Sequence, residues 1–132
     1  MAVNDLAGGA TYGPLTPEIL LAGDEPIKTS NGTAGAALSK YQVCAVTSTG
    51  SVVVFVSGTH TAHQAVLAMQ PAASGAQVQY AYQGVFNDDL LAAQAGNATL
   101  YAAAAMDTFV ERKAFFNSLF RVGKVGGGWA AV

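Results

Sequence analysis

Two histidines, one cysteine and a pair of adjacent carboxylates are the side chains of this sequence whose types could do chemistry. His60 and His63 form an H-x-x-H pair. Two imidazoles can begin a metal site, but such a site needs three or four converging ligands, and helical zinc sites use i,i+4 spacing. No Asp or Glu lies within twenty positions of the pair on either side, and its surroundings read as a turn beside a strand. The expectation is two loop histidines with local hydrogen bonds, with no metal and no general base. A small metal-binding protein using His60 and His63 stands as a distant alternative. Cys44 lies within a β-forming run. A nucleophilic thiol needs a base and surroundings that lower its pKa, and an apolar strand supplies neither. Cys44 is expected to act as a small buried hydrophobe.

Asp88 and Asp89 are adjacent. On a strand they would point to opposite faces and could not serve one substrate, so they are expected to mark a turn or helix start. Asp24 and Glu25 sit in a Pro-bounded turn and read as solvated. Arg112, Lys113, Arg121 and Lys124 fall near the end of the sequence. No stacking motif accompanies them, so they read as a solvated helix face, its charge favoured near a helix C-terminus. Asn31-Gly32-Thr33 and Asn97-Ala98-Thr99 match the glycosylation sequon, which carries no weight without a secretory signal. No catalytic residue and no cofactor emerges.

The frame for these residues is one domain of 132 residues and 13.4 kDa. Hydrophobic residues make up 52% and charged residues 11% of it, which excludes a disordered chain. A single cysteine excludes a disulfide scaffold. The net charge of −2 lacks the basic surplus of a phosphate-binding protein, so no nucleic-acid partner is expected. Mean hydropathy is +0.33, yet the longest apolar stretch, 90–106, is broken by Gln94, Gly96, Asn97 and Thr99. No membrane span is expected. The first six residues have neither a basic region nor an apolar core, so no signal peptide is expected. Between Tyr41 and Asn87 there is no Asp, Glu, Lys or Arg. Such a stretch either faces water through neutral polar groups or is covered by a partner.

Residues 1–13 are small and Gly-containing and read as a flexible arm. Pro14 and Pro17 bracket a rigid lead-in to the core. Glu18 to Leu21 is a short strand candidate. Asn31-Gly32 signals a tight turn. Tyr41–Thr47 and Ser51–Val56 read as a hairpin turned at Ser48-Thr49-Gly50. His63 to Met69 is of ambiguous type. Val78 to Phe86 alternates as a strand. Thr108 and Glu111 have capping-box spacing before a helix at about 109–119, with Phe109, Phe116 and Phe120 on one stripe. The class is mainly β (α+β), with a β-rich core at 14–90 and a C-terminal extension at 91–132.

The order of these segments resembles the head decoration proteins of lambda-like tailed phages. Gly13-Pro14-Leu15-Thr16-Pro17 followed by Glu18-Ile19-Leu20-Leu21 resembles the family's Pro-bracketed start. Gly32-Thr33-Ala34-Gly35-Ala36-Ala37 resembles its Gly-Thr/Gly-Ala loop. The Val43-to-Val46 strand, Phe55-Val56-Ser57-Gly58-Thr59, Val66-Leu67, Pro71-Ala72-Ala73-Ser74 and Gln83-Gly84-Val85-Phe86 follow in the family's order, over roughly residues 13–90. The resemblance implies a compact β-tulip-like small barrel. It implies a homotrimer at local three-fold sites on the outer surface of the expanded virion head, made in the host cytoplasm and stabilising the shell against DNA pressure. Its partner would be the major capsid protein, contacted by the N-terminal arm. Here that arm is a segment only, represented by Ala2, Val3, Asn4, Leu6, Thr11 and Tyr12. The extension after residue 90 has no counterpart in the shortest members. It could widen the trimer contact, touch neighbouring trimers or cap a sheet edge. Another virion β-protein, a tail or fibre adaptor, is the alternative.

Overall fold

A computed structural model of the chain describes residues 20–23 and 25–125. Ala2, Val3, Asn4, Leu6, Thr11, Tyr12, Pro14 and Pro17 lie outside the described residues, as does the whole of the expected arm.

The described chain is mainly β, as expected, with six strands and a few short helices. The strands are β1 (Lys28–Ala34), β2 (Val43–Val46), β3 (Ser51–Val54), β4 (Ala65–Ala68), β5 (Gln77–Asn87) and β6 (Phe120–Gly123). The helices are α1 (Asp88–Ala92), α2 (Ala98–Tyr101) and α3 (Phe109–Phe115). β1 pairs in parallel with β3 and antiparallel with β5. The order β1-β3-β2-β4-β5 therefore closes on itself as a five-stranded mixed barrel. Closure leaves none of these strands as an open edge. The β2–β3 hairpin and the β5 strand match the sequence expectation, and the ambiguous segment resolves as a single 3-10 turn followed by β4.

β5 is longer than the barrel needs. Its first part pairs with β1 and β4, and Gly84 to Asn87 then pair in parallel with β6. The change of partner falls at Gly84, whose φ of 149° is one that L side chains rarely adopt. On the other edge of this second part, Leu21 bridges to Phe86.

Two cores lie on the two faces of the same strands. Ala34, Cys44, Val52, Val66 and Val78 form one cluster, to which all five barrel strands contribute, so it is the barrel interior. These side chains are small, as a five-stranded barrel requires. Val43, Ala45, Leu67 and Ala81 point the other way and pack against Leu91, Leu100, Met106, Phe116, Phe120 and Val122. The C-terminal extension thus covers one outer wall of the barrel. Phe116 meets Phe120 edge-on with centroids 5.0 Å apart and Phe55 at 5.6 Å. Burial on both faces is why β2 and β4 read as unbroken apolar runs.

Several expectations are corrected. Asn31-Gly32 is not a turn but mid-strand in β1. A Cβ at Gly32 would lie 3.0 Å from Val52 Cγ2 and 3.2 Å from Tyr80 Cε2, so the glycine serves close approach rather than reversal. The last helix begins as expected, with Thr108 and Glu111 closing a capping box. It ends at Phe115, because Phe116 leaves helical geometry at ψ 75°. Phe116 and Phe120 do share a core with Phe109, but Phe120 reaches it from β6 and not from a helical stripe. Arg112 is not solvated; it is buried. Glu25 likewise carries an ion-pair partner, Arg121.

Candidate functional site

The chain enters the described body on a short ladder. Asn87 N–H donates to Leu20 O at 2.7 Å, and Ala22 N–H donates to Val85 O at 2.9 Å. β6 runs alongside the same stretch of β5 and pairs Gly123 with Asn87. Leu20 and Gly123 therefore flank Asn87 from opposite edges of β5. Whatever precedes Leu20 and whatever follows Val125 is attached at one pole of the barrel.

That pole is fixed by ion pairs. Asn87 caps α1, its Oδ1 accepting from Asp89 N–H at 3.2 Å, which places both aspartates in the first helical turn as expected. Asp88 is buried and accepts from Arg112 Nε at 2.9 Å, Arg112 Nη2 at 2.7 Å and Tyr101 Oη at 3.0 Å. Arg112 also donates to Met106 O at 2.8 Å and lies 4.0 Å over the Tyr101 ring. Hydrogen bonding to Asp88 pushes the guanidinium further up from its ordinary value, while burial and the Asp88 charge push the Tyr101 phenol up. The carboxylate is fully engaged, so this is a clamp and not an acid–base pair. Lys124 Nζ adds a contact to Asp89 at 2.7 Å and stands 4.9 Å from the Phe109 ring centroid.

Asn97 stitches the extension to the barrel. Its Oδ1 accepts from Val43 N–H at 2.8 Å, and its Nδ2 donates to Tyr41 O at 3.0 Å and Leu91 O at 2.8 Å. Gln42 Nε2 reaches Gly96 O at 3.1 Å beside it. Asn97 is buried, so its sequon is out of reach. Sequence reasoning missed both Arg112 and Asn97 as organising residues. Their partners lie 24 and 54 positions away, and no local spacing announces them.

The reactive candidates are held in structural roles. His60 Nδ1 accepts from Val56 N–H at 2.9 Å, a local bond of the expected kind. His63 Nδ1 lies 3.0 Å from Ser118 Oγ, contributed by the extension. Among the described residues no three His, Cys, Asp or Glu side chains gather as a metal cluster. Cys44 is buried in the barrel interior, its Sγ donates to Gln42 O at 3.3 Å, and burial pushes the thiol up to about 12. That is the inert small hydrophobe the sequence suggested.

The uncharged stretch from Tyr41 to Asn87 makes β2 to β5 and their turns. Its exposed polar positions are Ser48, Thr49, Thr59, Thr61, His63, Gln70, Ser74, Gln77 and Gln79, with glycines, alanines, Val56 and Pro71 among them. Val56 is the one large exposed hydrophobic side chain described there. The surface is neutral and polar rather than greasy. Among the described residues no helix is long and apolar enough to cross a membrane. No protein-family model matches the chain, and no curated protein matches it in sequence.

Proposed function

We propose that this chain is a capsid decoration protein. It seats as a homotrimer at local three-fold positions on the outer surface of an expanded phage head and contacts the major capsid protein. The observation that supports this reading best is the single pole at Asn87, where Leu20 and Gly123 flank the same strand. Leu20 and Val125, where the described chain begins and ends, belong to the same end of the barrel. Three of the segments that carry the family resemblance fall in barrel strands, at the end of β1, in β2 and in β4, and a neutral outer wall is suited to close packing without desolvating unpaired charge.

The mechanism follows from avidity. Ordering an arm costs roughly 1–2 kcal/mol per fixed residue, so one arm binds weakly. Three arms on one rigid trimer raise the effective concentration, adding a factor of ~10²–10⁴ without new contacts. Strand addition to a capsid edge supplies main-chain hydrogen bonds whatever the side chains. A trimer bridging neighbouring capsomers then opposes their separation under DNA pressure. Co-sedimentation with expanded and unexpanded heads tests the reading: saturable binding to expanded heads alone supports it, and binding to neither refutes it.

A further inference from the structure

Among the described residues, nothing covers one end of the barrel. A cleft of about 510 Å³ lies there, its floor made by Val46 and Val66 and its walls by Ser30, Tyr80 and Tyr82. Val46, Val66, Tyr80 and Tyr82 all belong to the interior cluster or pack against it, so this cleft is the barrel mouth. The opposite side of that cluster is closed by Leu38, which bridges to Ala72. Barrel mouths are a preferred place for small-molecule sites.

The chemistry of the lining is specific. Among the described residues no Asp, Glu, Lys or Arg lines the cleft, and His63 is its one imidazole. The hydroxyls of Tyr80, Tyr82 and Ser30 have no hydrogen-bond partner among the described residues. Two half-buried tyrosines therefore offer rings and unused hydroxyls together, and Gln64 and His63 stand at the rim. Gln64 is already anchored, its Nε2 donating to Val46 O at 3.3 Å and its Oε1 accepting from Thr61 N–H at 2.9 Å. Exposed Leu119 and buried Phe120 add an apolar side from the extension. A ligand matched to this mouth is uncharged, carries several hydroxyls and has an apolar face to lay on a ring. We infer that the barrel mouth binds a neutral saccharide. An ion would enter a cleft lined by no described Asp, Glu, Lys or Arg, and a purely apolar ligand would strip water from three hydroxyls without replacing their hydrogen bonds.

This inference does not rest on the capsid reading. The test titrates the full chain with maltotriose, cellotriose and chitotriose, with sialyllactose as a charged control, by protein-observed NMR. The expected result is saturable binding of at least one neutral trisaccharide, with shifts centred on Ser30, Tyr80 and Tyr82, and weaker binding of sialyllactose. The double variant Tyr80→Phe/Tyr82→Phe keeps both rings and removes both hydroxyls. It should stay folded and bind about tenfold more weakly, the loss expected for two neutral hydrogen bonds. Absence of binding by all three neutral sugars at millimolar concentration overturns the inference. So does unchanged affinity in the double variant, or mouth signals that shift with protein concentration alone, which would mean that a second copy fills the cleft.

Discussion

Arg112 grips Asp88 at two points, Nε to Oδ1 at 2.9 Å and Nη2 to Oδ2 at 2.7 Å, across 24 residues of sequence. The fork joins the start of α1 to the middle of α3 in a place water barely reaches. It ties the segment that follows β5 to the extension that covers the barrel wall. Breaking a buried pair by removing one partner leaves an uncompensated charge and costs about 3–5 kcal/mol. Arg112→Met should destabilise the protein by that order in chemical denaturation. Arg112→Lys should recover little, because an ammonium cannot reproduce the fork. Adding Asp88→Asn to Arg112→Met should restore part of the loss.

Asn97 makes three hydrogen bonds, one of them to the backbone N–H of Val43 in β2. Asn97→Ala strands the Val43 N–H and the Tyr41 carbonyl, while Leu91 O keeps the Gln94 N–H at 3.2 Å. Each unsatisfied buried group costs about 1–3 kcal/mol, so a loss of at least about 2 kcal/mol is expected. Hydrogen exchange should show residues 91–106 opening more readily than β4 in this variant.

The sequence was most legible where structure is local. The β2–β3 hairpin follows from β-branched runs on either side of Ser48-Thr49-Gly50, and the start of α3 follows from Thr108 and Glu111. Reading failed where a distant contact overrode a local signal. Asn31-Gly32 carries turn chemistry, yet Gly32 sits mid-strand because Val52 and Tyr80 press on it. Arg112 falls where a charged residue ordinarily faces water, and only the fold brings Asp88 to it. The end of α3 was hidden because Phe120 extends an apolar spacing that β6 uses instead. The barrel mouth was not legible at all, since Ser30, Val46 and Tyr82 meet only after closure.

Cys44 sets an alkaline limit on stability. Its thiol rises from the ordinary 9.0 to about 12 by burial, so the folded state keeps a proton that the unfolded state loses. The unfolded state binds fewer protons across this window, so stability falls as pH rises. The contribution is fully present below pH 9 and is lost as pH climbs towards 12. Cys44→Ala should flatten the alkaline limb of a stability–pH profile. Tyr101, shifted in the same direction, should leave part of the slope in place. At neutral pH a thiol reagent should modify Cys44 only as fast as the protein opens.

The arm is a separable part of the proposed mechanism. The described core is built from residues beyond it. Deleting residues 2–12 should therefore leave the circular dichroism spectrum and melting transition close to wild type. Capsid binding should fall by at least the avidity factor of ~10². Undiminished binding by the deletion variant would move the contact from the arm to the barrel or the extension.

The most direct test of the central claim is co-sedimentation with expanded and unexpanded heads of the cognate phage, followed by cryo-EM of the pellet. The account predicts saturable binding to expanded heads only, with three barrels around each local three-fold axis and the Asn87 pole towards the shell. Equal binding to both forms, density at any other lattice position, or no binding at all would contradict it.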